Sequence, residues 1–273
     1  MEQPFLFLDR CRMHRLSQGF SIPFLALFLF VSYTTCAAAA ESSDKVDVQA
    51  LVRHVDNLWR GTTSHADMTM TVKTRHYQRK LTLEAWSRGM ENSLVVIQAP
   101  IKDRGIATLK VGENIWNYLP KINRVTKIPP SMMSGSWMGS HFTNDDLVKE
   151  NTFEADYNVS LTFSGMRDGQ KIYEITALPK ENAAVVWGKV VMDVIQSSLT
   201  PTRADYYDED GKLIRRMTFS DFKKVDGKIV PMIMKLQPED KPTESTLLEY
   251  NKIEFNVSVP QSFFSLQSLK RRH

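Results

Sequence analysis

The sequence predicts a mainly β protein of the α+β class: a strongly curved antiparallel sheet forming an unclosed β-barrel, covered by an N-terminal helix and a short helix after Thr143. Three observations carry this. From Met68 onward apolar residues recur at every second position in stretch after stretch, the period of a strand. Asp168-Gly169, Asp210-Gly211 and Asp226-Gly227 mark tight hairpin turns between such stretches. Several stretches are apolar on both faces: Val190, Met192 and Val194 oppose Val191 and Ile195, and Val230, Met232, Met234 and Leu236 oppose Ile229 and Ile233. A sheet built of them has to be covered on both sides, which curvature and packed helices achieve. The chain lacks an alternating β-α pattern, which argues against a parallel nucleotide-binding sheet.

Residues 1–40 read as a secretory signal peptide. Arg10, Arg12 and Arg15 form a basic stretch, Phe20 to Tyr33 an apolar one, and Ala37 to Ala40 a small-residue cleavage site. The apolar run is shorter than the roughly 20 residues a membrane-spanning helix needs, so no span is expected in the mature chain. Met13 is an alternative start giving a leader of more ordinary length. Cys36 follows the apolar run and could be an acylated first residue, but Tyr33, Thr34 and Thr35 are unlike the aliphatic and small residues such a site favours. Both cysteines, Cys11 and Cys36, fall in the leader, so residues 41–273 are expected to form a single exported domain without disulfides. The formal charge of +4 falls to +3 without the leader, and acids are interspersed with the bases, which gives no ground for a nucleic-acid partner.

The elements follow in order. Val48, Leu51, Val52, Val55, Leu58 and Trp59 recur at helical spacing and predict an amphipathic helix over about Val46 to Arg60, closed by Gly61. Strands are expected around Met68 to Val72, Leu81 to Trp86, Leu94 to Gln98, Ala107 to Val111 and Ile115 to Leu119. A second series covers Val159 to Phe163, Lys171 to Ala177, Lys189 to Gln196, Arg203 to Tyr207, Leu213 to Phe222, Ile229 to Leu236 and Thr246 to Phe255. Pro179 to Ala184 is a candidate division between two sub-sheets.

The most specific stretch is Trp116 to Leu147. Lys121, Arg124 and Lys127 alternate with Ile122, Val125 and Ile128, which reads as a basic edge strand whose cations meet lipid head groups or an acidic partner, or guard the edge from aggregation. Pro129 and Pro130 stop regular structure, and Ser131 to Ser136 has the composition of a mobile loop. Thr143 is a good N-cap, with Asp145 and Asp146 in the first turn of the helix that follows. Met132, Met133, Trp137, Met138 and Phe142 form a soft aromatic and thioether cluster, read either as core or as a lid over an apolar cavity.

In this stretch YLPKINRV followed by SGSWMGSHFTNDDL resembles the signature of the LolA-like outer-membrane lipoprotein-sorting protein family. Likeness continues through TPTRADYYDEDGKLIRRMTFSDFKKVDGKIVPMIMKLQ, Thr246 to Tyr250 and the terminal PQSFFSLQSL, covering roughly Val46 to Leu269. The resemblance implies a half-open barrel and a periplasmic carrier of lipid or lipoprotein acyl chains. Trp86, Trp116 and Tyr118 would join Met132, Met133, Trp137, Met138 and Phe142 at the lipid, with an inner-membrane transporter and an outer-membrane acceptor as partners. A lipid or lipoprotein sensor without transport is the alternative, since the fold also resembles the sensing domain of envelope-stress regulators. Lipoprotein, glycolipid and hopanoid-like cargoes remain open.

Reactive chemistry has little support in the residues. His54, His65 and His76 recur every eleven positions, but one falls on a helix and another near a strand end, without a cysteine or tight histidine pair, so no metal is expected. Ser136, His141, Asp145 and Asp146 supply the residue types of a hydrolase triad. Gly135 to Gly139 lacks the nucleophile-elbow pattern, however, and capping explains the aspartates, so no enzyme is expected. Nor is there a phosphate-binding glycine loop or other sign of a cofactor.

Overall fold

A computed structural model describes residues 46–149, 153–183 and 185–271. The leader, its cleavage site, Cys11 and Cys36 lie outside these residues.

Helix α1 (Val48–Asp56) starts on Asp47, whose carboxylate accepts the Ala50 N–H at 2.9 Å, and buries Leu51, Val52 and Val55. It is shorter than the Val46 to Arg60 expected, because Asn57 leaves helical geometry and turns its side-chain amide back onto the Arg53 carbonyl. Leu58 and Trp59 keep the apolar spacing in a turn. Gly61, at φ +57°, then redirects the chain where a side chain would meet Phe255 at 3.4 Å.

Six antiparallel strands follow: β1 (Thr63–Lys73), β2 (Gln78–Arg88), β3 (Asn92–Ala99), β4 (Ala107–Val111), β5 (Asn114–Leu119) and β6 (Arg124–Lys127). Two short helices, α2 (Asn144–Lys149) and α3 (Phe153–Asp156), lead to seven more strands: β7 (Tyr157–Arg167), β8 (Gln170–Pro179), β9 (Lys189–Ile195), β10 (Pro201–Tyr207), β11 (Leu213–Val225), β12 (Lys228–Pro238) and β13 (Ser245–Phe255). Helix α4 (Leu266–Arg271) comes last. Asp168-Gly169 and Asp226-Gly227 both hold positive φ, as two-residue hairpin turns require.

All thirteen strands form one sheet in the order β6-β5-β4-β3-β2-β1-β13-β12-β11-β10-β9-β8-β7. Pairing of β1 with β13 joins the two meanders, while β6 and β7 remain edges, so the barrel is unclosed. Because β8 pairs directly with β9, the sheet is not divided at Pro179 as expected; strand register spans the long connection.

Register sorts the side chains onto two faces. Met68, Met70, Leu83, Met234, Leu236 and Leu248 share the inner face and form the largest core. On the opposite face of β2–β5, Leu94, Leu109 and Tyr118 are covered by Val259, Phe264 and Leu269 of the C-terminal segment. Over β2–β5 both faces are therefore covered, by different parts of the chain. Helix α1 closes over the far half through contacts of Leu51, Val52 and Val55 with Ile175 and Val194.

Candidate functional site

Apolar residues of the inner face do not fill the interior completely. A cavity of about 190 Å³ lies between that face, α1 and residues 137–147. Val55 and Trp59 enter from the α1 side, Ala66, Met68, Ala85 and Val95 from β1–β3, and Met192, Met217, Phe219, Met234 and Leu248 from β9–β13. Trp59 is fixed by its indole N–H, which donates to the Pro231 carbonyl at 2.9 Å, and by Phe219 stacked at 5.8 Å. Polar groups gather at the ends. Asp56, Arg60 and a cross-strand row of Ser64, Ser87 and Ser93 mark one; Asp146 marks the other.

Residues 129–147 supply one wall through Trp137, Phe142, Asp146 and Leu147, and their polar groups are fastened to four strands, β2, β4, β11 and β13. Short turns at Pro130–Met132 and Trp137–Gly139 fold the segment, the second using left-handed backbone at Met138 and Gly139. Trp137 Nε1 donates to Thr108 Oγ1 on β4 at 3.1 Å, and Arg79 of β2 donates to the Met138 carbonyl at 3.1 Å. The His141 N–H donates to Thr246 Oγ1 on β13 at 3.0 Å, with the imidazole Nδ1 2.8 Å from the same hydroxyl and Nε2 3.2 Å from Glu244.

Thr143 caps α2. Its hydroxyl accepts the Asp146 N–H at 3.2 Å while the Asp146 carboxylate accepts the Thr143 N–H at 2.7 Å, a reciprocal capping box. The same carboxylate meets Arg215 of β11, a buried guanidinium lying 4.2 Å from the Trp187 ring and 4.4 Å from the Tyr206 ring. Nearby, burial pushes the Tyr157 phenol upward, reinforced by the negative charges of Asp145 and Asp156. Burial, with Lys228 alongside, lowers the His54 imidazole.

The expected lipid-contacting residues do not converge on one spot. Trp137 and Phe142 are buried and line the cavity. Trp86 contributes to the wall, but its ring stacks on His65 at 5.2 Å, on the outer face. Trp116 and Tyr118 belong to the outer cluster, Met133 packs beside Ile115 and Ile128, Met138 packs against the main core, and Met132 is exposed. The three cations do not make one row. Lys121 lies in a 3₁₀ turn before β6, Lys127 sits 5.9 Å from the Trp116 ring on the outer face, and Arg124 falls on the other face. Sequence reading missed Trp59, Met192, Met217, Phe219 and Leu248 as wall residues; the helical spacing around Trp59 and the alternation around the others were visible, their convergence was not.

Among the described residues Ser136 and His141 make no nucleophile–base pair. Ser136 donates to the Ser140 carbonyl, and the His141 nitrogens face Thr246 and Glu244.

An unclosed sheet with an apolar cavity under a helix and a fastened crossing segment defines the class of fold. A family model described as "Uncharacterized protein" matches residues 89–271, and the chain belongs to that family. Three solved structures share the fold at 22% identity: a DUF1329 family protein from Desulfovibrio piger (TM-score 0.72, 81% of this chain and 96% of that one), an outer membrane lipoprotein-sorting protein domain from Vibrio parahaemolyticus (0.71, 82% and 97%) and a LolA superfamily protein from Nitrosomonas europaea (0.69, 82% and 99%). The fold is LolA-like, as residues 116–147 led one to expect. No curated protein matches the chain.

Proposed function

We propose that this protein is a periplasmic carrier that holds an acyl chain of a lipoprotein or other envelope lipid in the inner cavity and moves it toward the outer membrane. The observation that carries the reading is the cavity itself: apolar, walled by methionines and aromatics, with Ser64 bonded to Ser87 at one end and Asp146 to Arg215 at the other. No bond is made or broken. Binding is hydrophobic, at about 0.8 kcal/mol per buried methylene, and methionine walls adapt to chains of differing shape.

The cavity would take on the order of a dozen waters, a scale suited to one acyl chain; a multiply acylated anchor requires α1 and residues 137–147 to move apart. Export fits the leader read from residues 1–40. Among the described residues no helix is long and apolar enough to cross a membrane. Loading would fall to an inner-membrane transporter and unloading to an outer-membrane acceptor. The sorting-protein and LolA-superfamily names of the structural relatives support the same reading.

Mass spectrometry of lipid extracted from gently purified protein tests it, together with displacement of a fluorescent long-chain fatty acid. Co-purified lipid and saturable long-chain binding are expected, and Ala85→Trp, which fills the cavity, should reduce both at least tenfold. Protein that carries no lipid and binds no long-chain probe sinks the proposal.

A further inference from the structure

We propose that the outer face of the sheet carries a divalent transition-metal site formed by His65, Asp67 and Glu84. His65 and Asp67 are two residues apart on β1 and so share a face. Register sets Glu84 of β2 directly opposite Asp67, and Glu254 of β13 directly opposite His65. The imidazole Nε2 lies 2.9 Å from Glu84 Oε1, and one donor atom from each of His65, Asp67 and Glu84 falls within 4.8 Å of the others. Small side-chain rotations bring such atoms to a common ion at about 2.0–2.2 Å.

The surroundings orient these donors as the outer shell of a metal site does. Gln98 Nε2 donates to Glu84 Oε2 at 2.8 Å, leaving Oε1 directed at the imidazole. Without an ion, the 2.9 Å contact places a proton on Nε2, donated to Glu84; Glu254, 3.6 Å from Nδ1, stands where it would accept from Nδ1–H once a cation replaced the Nε2 proton. Trp86 stacks on the ring with 21° between planes and limits its rotation. Glu254 is itself held by Lys252 at 2.9 Å.

Electrostatics point the same way. Asp67 and Glu84 are like charges placed directly across a strand pair, an arrangement that costs stability without a counter-charge. With Glu254 they make three carboxylates beside the ammonium of Lys252, and a dication offsets negative charge that one ammonium leaves uncompensated. One imidazole nitrogen and two carboxylates suit zinc and its first-row neighbours better than magnesium or calcium. Equal spacing of His54, His65 and His76 hides this arrangement, because the other ligands come from the same strand and the next one. Asp67 faces away from Ala66 and Met68, so the site lies across the β1 wall from the lipid cavity.

Tag-free full-length protein, stripped with chelator and titrated calorimetrically with Zn²⁺ alone, tests the inference, with Co²⁺ absorption as a second readout. One zinc per chain is expected, with a cobalt spectrum lacking thiolate charge transfer, which excludes Cys11 and Cys36 as ligands. His65→Ala and Glu84→Gln should weaken zinc binding by more than tenfold, Gln98→Ala by about tenfold, and His76→Ala not at all. Zinc should also perturb the His65 imidazole resonance, identified in the wild-type protein by its absence from His65→Asn, a readout independent of how the alanine variant folds. Failure of the wild-type protein to take up zinc saturably, uptake that survives both His65→Ala and Glu84→Gln, or an unmoved His65 resonance overturns the site.

Discussion

Arg215 and Asp146 form a two-bond fork, Nη1 to Oδ2 at 2.8 Å and Nη2 to Oδ1 at 2.5 Å, which ties the first turn of α2 to β11 across the interior. The guanidinium side chain is only 4% exposed, so the pair is shielded from solvent. Removing one partner strands the other charge in a poorly solvated place, at a cost of about 3–5 kcal/mol. Arg215→Ala should lose about that much in urea unfolding. Arg215→Lys should recover little, because an ammonium cannot reproduce the fork between two aromatic rings. Arg215→Met combined with Asp146→Asn should be more stable than Arg215→Ala alone. An Arg215→Ala protein within about 1 kcal/mol of the original would show that the pair contributes as little as a surface ion pair.

Thr143 offers a smaller and more local test. Its hydroxyl satisfies the Asp146 N–H at the start of α2, and Asp146 returns the bond. Thr143→Ala should cost about 1 kcal/mol and Thr143→Ser little. Equal stability of all three proteins would show that the Arg215 fork alone holds the helix end.

Thr143 also shows what was legible in the chain. Its capping role depends on residues within one helical turn, and the strands were visible because alternation is equally local. Trp137 was harder: surrounded by Gly, Ser and Met it reads as loop, and its partner Thr108 is supplied by a strand 29 residues earlier. Met192, Met217 and Met234 alternate plainly, yet their shared wall exists only once β9–β12 are in register. Lys121, Arg124 and Lys127 mislead for the opposite reason. Their spacing of three suggests one row, whereas a strand of period two sends Arg124 and Lys127 to opposite faces.

Acid should loosen the crossing segment through Glu244. The Arg75 backbone N–H, and next the His141 imidazole, hold this carboxyl below its ordinary value of 4.5. A depressed folded-state value means that the stabilisation is complete above 4.5 and is lost as pH falls through the lower value. Titration of the Glu244 carboxyl by NMR should give a midpoint below 4.5, and Glu244→Gln should diminish the acid sensitivity of the His141 amide resonance. A midpoint at or above 4.5 would contradict the contacts assigned to it.

Trp137 and Phe142 decide between two descriptions of the cavity wall. The sequence allows two readings, core or lid, and on the lid reading replacing both aromatics by alanine leaves the thermal midpoint almost unchanged. In the structure they are 4% and 5% exposed, belong to the largest core, and the indole N–H is bonded to Thr108. A side chain so placed costs about 3–5 kcal/mol on truncation to alanine, through lost burial and the hole left behind. Trp137→Ala should therefore melt well below the original protein, with Trp137→Phe in between because it keeps ring volume but not the bond to Thr108. Ligand contact is a separate matter. Since Trp137 faces the cavity, its emission should shift when a long-chain fatty acid binds, measured in protein with Trp59, Trp86, Trp116 and Trp187 replaced by phenylalanine. Early melting with a ligand-sensitive emission identifies a structural wall that also touches cargo. An unchanged melting point in Trp137→Ala would restore the lid description, and early melting with an unmoved emission would mean that the cargo binds elsewhere.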